Sequence, residues 1–234
     1  MHFVDLEMYK TYCSNEKLKM NQLMNSTNRE IDGRVCASSW LHYVMCLFNL
    51  VKDDVKVYAE IGSLWGGSAA MILQLANKGT EVFCIDLFNG YYNKPTKAND
   101  WNKCSINVDG TNHLDFVKRN LEKFNKNNNE VHYLKGSSYD DETVSKFNSY
   151  QKKVDFFFID GDHSEAGVVK DFLRYKDYIQ HNGIICFDNY GGSAWPGVKR
   201  GLDKVDFKSY GYNIIGVFSE RPSSEGCLII QKMD

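Results

Sequence analysis

The sequence predicts an α/β fold: a Rossmann-like, doubly wound, mostly parallel seven-stranded sheet with helices on both faces and an antiparallel C-terminal strand. Three observations predict it. Apolar runs of strand length alternate with helix-length amphipathic segments over almost the whole chain. The central runs, Val154 to Ile159 and Gly183 to Phe187, are almost wholly apolar, as strands buried on both faces must be. Polar residues gather just past these runs, where open α/β sheets bind ligands.

Each element has its own signal. Residues 1–35 are polar and are expected to be a helical extension, irregular with short helices, so the domain proper is placed at 36–234. Trp40, Leu41, Val44, Met45, Leu47 and Phe48 recur at helical spacing and predict a helix over Cys36 to Val51. A strand over Val55 to Ile61 leads into a glycine-containing turn. Ser68 is placed as the N-cap of a helix from Ala69 to Asn77, which stops before Gly79. Glu81 to Leu87 is the second strand. Phe88 to Asn112 has no clear period; with Tyr91, Tyr92 and Trp101 among polar residues, it reads as a lid or binding loop. Helices are then expected at His113 to Phe124, Asp140 to Phe147, Glu165 to Ile179 and Trp195 to Val205, the last started by Pro196. Strands fall at Val131 to Leu134, at the two central runs, and at Tyr212 to Phe218 and Gly226 to Gln231.

Composition narrows the function. The 234 residues suit one α/β domain, and 43% hydrophobic with 25% charged residues excludes a disordered or collagen-like chain. A net charge of -2 lacks the basic excess of a nucleic-acid binder. No apolar run approaches the ~20 residues of a membrane span, and the first residues do not resemble a signal peptide. The odd number of cysteines, 7, with no C-x-x-C pair, reads as free thiols in a reducing, cytoplasmic setting. Asn25-Ser26-Thr27 is a formal glycosylation sequon, read as polar sequence. The 14 Tyr, 14 Phe and 4 Trp exceed what a core of this size needs, so some are expected to line a pocket.

Chemistry is concentrated at the strand ends. The first strand runs into Glu60-Ile61-Gly62-Ser63-Leu64-Trp65-Gly66-Gly67-Ser68, where glycines admit a ligand and the next helix offers free N–H groups. Leu64 stands where a dinucleotide-binding G-x-G-x-x-G would need glycine, which disfavours a dehydrogenase. Asp86 ends the second strand, where an acid can bind a ribose diol. Asp160 and Asp188 each end a buried strand. If those strands are neighbours, both carboxylates and the Asn189 amide meet, an oxygen set suited to Mg²⁺ or Mn²⁺.

These motifs resemble class I S-adenosylmethionine (SAM)-dependent methyltransferases. From about residue 36 onward the chain is similar to the metal-dependent O-methyltransferases of the catechol and caffeoyl-CoA type and to the sugar O-methyltransferases of antibiotic biosynthesis. The match runs through Glu60, Gly62, Gly66 and Ser68, then Asp86, then Gly136 and Ser138, then Asp160, Asp188 and Asn189. The resemblance implies cofactor contacts at Glu60, Gly62, Ser63, Gly66, Ser68, Asp86, Leu87, Ser138, Tyr139 and Asp160, with Ser138 and Tyr139 at the adenine. It implies a divalent cation at Asp160, Asp188 and Asn189. Catechol-type relatives carry a lysine base three residues after the first metal aspartate; here His163 stands there, which makes His163 and Asp160 the expected catalytic pair.

The expected reaction is methyl transfer from SAM to a hydroxyl with a neighbouring hydroxyl. A sugar of a glycan or glycoside is favoured because aromatic faces suit sugar C–H surfaces. A catechol or other phenol is the alternative. The Asp160-Gly161-Asp162 stretch also fits a D-x-D glycosyltransferase, but that reading leaves the Glu60 to Ser68 loop unexplained. Expected partners are a small-molecule or glycan acceptor, with no nucleic acid and no membrane; a homo-oligomer or a larger multidomain parent is compatible with the sequence.

Overall fold

The computed structural model describes residues 3–32, 40–88, 113–221 and 224–233. The expected lid residues Tyr91, Tyr92 and Trp101 lie outside them, as do Cys36 and Cys104.

A 25-residue helix, α1 (Leu6–Glu30), opens the chain, capped by the Asp5 carboxylate, which accepts the Met8 N–H. This corrects the expectation of an irregular extension with short helices. Tyr9, Cys13, Met20, Met24 and Thr27 form a narrow buried stripe along α1, and the remaining surface is polar. A stripe that thin barely raises the average hydropathy, so the period is easily missed. Helix α2 (Leu41–Val51) packs beside it.

Strands β1 (Val57–Ile61), β2 (Glu81–Asp86), β3 (Val131–Lys135), β4 (Val154–Ile159) and β5 (Ile179–Tyr190) are parallel. Strands β6 (Tyr212–Ser219) and β7 (Gly226–Lys232) pair antiparallel at one edge. The order is β3-β2-β1-β4-β5-β7-β6. Helices α3 (Gly67–Leu75) and α4 (His113–Phe124) join α1 and α2 over one face; α5 (Asp141–Ser149), α6 (Glu165–Tyr175) and α7 (Pro196–Leu202) cover the other. Two separate apolar clusters result, one on each side of the sheet. Full burial of a Phe or Ile side chain stabilises by ~1.5–3 kcal/mol. The all-buried Phe156 to Phe158 run therefore anchors β4 on both faces.

Two boundaries differ from expectation. Helix α6 ends at Tyr175 and continues only as a tight 3-10 turn, so Ile179 begins β5. Strand β5 runs past Phe187 to Tyr190, which carries Asp188 and Asn189 as strand residues. Strand order reverses between β1 and β4, which opens the crevice where such sheets bind ligands. Among the described residues no helix is long and apolar enough to cross a membrane. The described cysteines Cys13, Cys46, Cys84, Cys186 and Cys227 are free and buried.

Candidate active site

The crevice is built from the ends of β1, β2, β4 and β5. Glu60, fully buried at the end of β1, accepts hydrogen bonds at one oxygen from Tyr58 (2.8 Å) and Ser68 (2.7 Å). Burial raises its pKa, against the nearby Ser68, Ser63 and Tyr58 hydroxyls. Its other oxygen, Oε1, is buried without a hydrogen bond, and so is the Ser63 hydroxyl. A buried polar atom left in this state costs ~1–3 kcal/mol. Two such atoms at one turn fit a ligand that donates to a carboxylate, as an amino-acid ammonium does.

Ser68 is therefore not the helix cap expected from sequence. Its hydroxyl is taken by Glu60, and α3 starts two residues earlier with Gly66 as N-cap. Gly62 is glycine for a reason inside the fold. At φ +87° it packs against the Asp160 backbone, and a Cβ there would lie 1.8 Å from the Asp160 carbonyl oxygen. The turn after β1 and the turn after β4 are thus pressed together.

Asp86 holds the neighbouring backbone. Its Oδ2 accepts the Leu64 N–H (2.9 Å) and its Oδ1 accepts the Phe88 N–H (2.8 Å). Both donors have φ +45°, a conformation that costs a side-chain-bearing residue ~1–2 kcal/mol and that these bonds help offset. Burial raises the Asp86 pKa against those two bonds. Each oxygen keeps a lone pair for a ligand. Leu87, half-buried, follows directly. Across the crevice Ser138 donates to Asp171 Oδ1 at 2.5 Å, and the Tyr139 hydroxyl lies 3.4 Å from Asp162 Oδ2. Asp171 projects from α6, fully buried, and burial pushes its pKa up to about 7.

On the other side β4 and β5 are parallel neighbours, with Ile159 opposite Phe187, so Asp160 and Asp188 emerge side by side. Successive strand side chains normally face opposite ways. Here the β5–β7 register shifts between Phe187 and Tyr190 and Asn189 adopts φ +57°, a conformation asparagine tolerates. The distortion brings Asn189 to the same site as Asp188.

The Asn189 amide then lies 3.2 Å from Asp160 Oδ1, 3.3 Å from Asp188 Oδ2 and 2.8 Å from His163 Nε2. His163 Nε2 is itself 3.0 Å from Asp160 Oδ1. The nitrogen cannot donate to Asp160 and accept from Asn189 at once. If it donates to Asp160, the amide must turn its oxygen inward, and acceptors face acceptors. Burial opposes charge on His163, but Asp160, then Asp188 and Asp162, outweigh it and raise its pKa. Burial, and then Asp160, push the Asp188 pKa up to about 8.

Sequence reasoning missed two side chains at this site. Trp40, read only as part of a helix face, donates its indole N–H to Asp188 Oδ1 at 2.5 Å. Glu225, just before β7, lies beside Asn189 and His163; burial raises its pKa, the Asn189 amide lowers it, and its Oε1 is buried without a partner. Gly192 makes room for it, since a Cβ there would sit 2.5 Å from Glu225 Cβ. Glu225 also lines a cavity of about 400 Å³ with Gly191, Gly192, Ser193, Ala194 and Ser224. No local pattern marks Glu225, which reaches the site only through the β6–β7 hairpin. Trp195, expected at a helix start, is the N-cap of α7, and its half-exposed ring lies 4.5 Å from the His163 ring.

Among the described residues, the His/Cys/Asp/Glu group with all donor atoms within 4.8 Å of one another is Glu81, Glu130 and His132, at the opposite ends of β2 and β3. Lys152 neutralises Glu81 there. Asp160, His163 and Asp188 are not that close as a set; Asn189 is what bridges them.

The comparisons agree with this layout. The profile of a methyltransferase domain family matches residues 59–190, more than half of the chain. An uncharacterized protein, R132, of Acanthamoeba polyphaga mimivirus is 27% identical over 191 residues, 76% of this chain and 74% of its own length. The calicheamicin methyltransferase CalS11 superposes with a TM-score of 0.60 at 16% identity, over 94% of this chain and 93% of its own; it is also described as a TDP-rhamnose 3′-O-methyltransferase. MycE, a methyltransferase of mycinamycin biosynthesis crystallised with Mg and S-adenosylhomocysteine (SAH), superposes at 0.56 and 14% identity, over 92% of this chain and 54% of its own. The sheet order, the strand reversal between β1 and β4 and the family match converge on one conclusion: the chain belongs to this methyltransferase domain family and is a SAM-dependent methyltransferase.

Proposed function

We propose that the protein methylates a hydroxyl oxygen of a sugar that carries a neighbouring hydroxyl, with a divalent cation held by Asp160, Asp188 and Asn189. The observation that carries this reading is the meeting of Asn189 with Asp160, Asp188 and His163 at 2.8–3.3 Å. Adjacent ligands around an octahedral ion at ~2.1 Å are ~3 Å apart, so the Asn189 spacings to the two carboxylates fit one ion among oxygen donors. A hard cation there supplies the charge that makes an acceptor hydroxyl easier to deprotonate.

SAM supplies an electrophilic methyl group, which passes to the acceptor oxygen as the sulfur keeps the bonding electron pair. The chain's task is placement and proton removal. Glu60 Oε1 and the Ser63 hydroxyl are oriented for the methionine amine, Asp86 for the ribose, and Ser138 with Tyr139 for the adenine. His163 receives the hydroxyl proton at Nε2, which in its protonated form donates to Asp160 Oδ1 3.0 Å away, while Trp195 lies against its ring. Gly62 presses the two turns together, which favours a short path between cofactor and acceptor.

The acceptor is assigned to the cavity beside Glu225. Its wall is largely backbone and small polar residues, with the Trp195 face nearby, which suits a polyol better than a flat apolar ring. Glu225 Oε1 accepts from the second hydroxyl. The sugar methyltransferases among the structural relatives support this choice.

The test is methyl transfer from SAM to nucleotide-linked and free sugars, with catechol and caffeate as contrasts, after EDTA treatment and again with Mg²⁺ or Mn²⁺ restored. Methylation of a sugar that needs added metal is expected. Full activity in EDTA removes the cation from the reading, and turnover of the phenols alone removes the sugar.

A further inference from the structure

His113 is the first residue of α4 and plays no part in the chemistry above. It is 3% exposed. Its Nε2 lies 2.8 Å from the Leu64 carbonyl oxygen. A carbonyl only accepts, so Nε2 carries the proton and Nδ1 of the neutral ring is an acceptor. That Nδ1 is buried and has no hydrogen-bond partner. The ring is wedged between Trp65, 4.9 Å away, and Phe88, 6.1 Å away, and so cannot easily turn to find one.

The same residues connect His113 to Asp86. Leu64 donates its N–H to Asp86 and offers its carbonyl to His113. Phe88 donates its N–H to Asp86 and packs on the His113 ring. Acid and imidazole thus flank one turn. The unpartnered atoms around it are Glu60 Oε1, the Ser63 hydroxyl, Trp65 Nε1 and His113 Nδ1. The first two are assigned above to the methionine end of the proposed cofactor, whereas His113 shares its Leu64 and Phe88 contacts with Asp86.

We infer that His113 is a second ribose-binding residue, its Nδ1 accepting a hydrogen bond from one hydroxyl of the adenosyl ribose while Asp86 accepts from the other. The assignment rests on the SAM-binding reading of the crevice. A diol brings two donors, and an acceptor on each side gives each hydroxyl its own partner while Asp86 goes on holding the Leu64 and Phe88 N–H groups.

Two substitutions separate the roles of the two ring nitrogens. His113→Gln places an N–H near Nε2 and keeps the bond to Leu64 but offers nothing at Nδ1. His113→Asn places an acceptor near Nδ1 and gives up the Leu64 bond. Binding of SAH and of its 2′-deoxy and 3′-deoxy forms is measured by calorimetry on the full chain. The inference expects about tenfold weaker SAH binding for His113→Gln and closer to wild-type binding for His113→Asn. It also expects one deoxy form to lose about tenfold on the wild type and to lose nothing further on His113→Gln. SAH binding unchanged in His113→Gln, or an undiminished deoxy penalty in that variant, overturns it. No SAH binding by the wild type is a different result, which overturns the SAM-binding reading itself.

Discussion

The two sides of the crevice are held in place by opposite means. On the β1–β2 side each acid is tied down by donors of the chain. Glu60 is held by two hydroxyls and Asp86 by two backbone N–H groups. On the β4–β5 side the Asp160 and Asp188 carboxylates lie side by side and share the Asn189 amide, whose nitrogen end reaches both of them and His163 Nε2, while the Trp40 indole donates to Asp188. The first side is ready for its ligand as soon as the chain folds. The second sets two carboxylates side by side, where added positive charge would be favourable. Burial raises acids on both sides, but on this one the neighbouring Asp160 adds to burial in pushing the Asp188 pKa up to about 8.

The strongest way to break the comparison is to mutate one member of each side. His163→Ala is expected to lower kcat by ~10²–10⁴ while leaving SAH affinity nearly unchanged. Glu60→Gln is expected to weaken SAH binding by ~10–100-fold, the worth of a charged hydrogen bond. Steady-state kinetics and calorimetry read the two effects, and equal loss of SAH affinity in both variants would merge the two sides into one. Next in size is the seam between them. Gly62→Ala should destabilise the fold by about 3 kcal/mol, through the clash with the Asp160 carbonyl and the strained φ, and urea denaturation measures it.

Metal addition sharpens the contrast. Mn²⁺ at a hundred times its Kd should stabilise the wild type by ~2.7 kcal/mol and should not stabilise Asp188→Asn. SAH should raise Tm with or without EDTA. Smallest is a pH effect from Asp171. Its folded pKa of about 7 lies above the ordinary carboxylate value of 3.8. Its contribution to stability is therefore present below about pH 4 and is lost as pH rises through about 7. Relative to Asp171→Asn, the wild type should lose up to ~1.4 kcal/mol per pH unit across that interval. A difference between the two that does not change with pH would mean that Asp171 titrates normally.

Much of the fold was legible because its signals are local. The Val154 to Ile159 run could only be a buried strand, and Gly62 and Asp86 mark turns at strand ends. The length and continuity of the N-terminal helix were missed because its buried stripe is a small part of a polar surface. Ser68 was misread as a cap because the sequence cannot show that Glu60 faces it across the turn. In the site, Asp160, His163, Asp188 and Asn189 could be named from their positions after strands. Trp40 and Glu225 could not, since each arrives from an element far away in the chain.

The amino-acid sequence alone determined the strand–helix alternation, the parallel sheet and the set of acids at its edge, because hydrophobic period and turn chemistry act over a few residues. The tertiary structure decided how those acids are arranged. Alternation along a strand should send Asp188 and Asn189 to opposite faces, and only the register shift against β7, with Asn189 at φ +57°, brings them together. That shift depends on pairing between distant segments, and no local pattern encodes it.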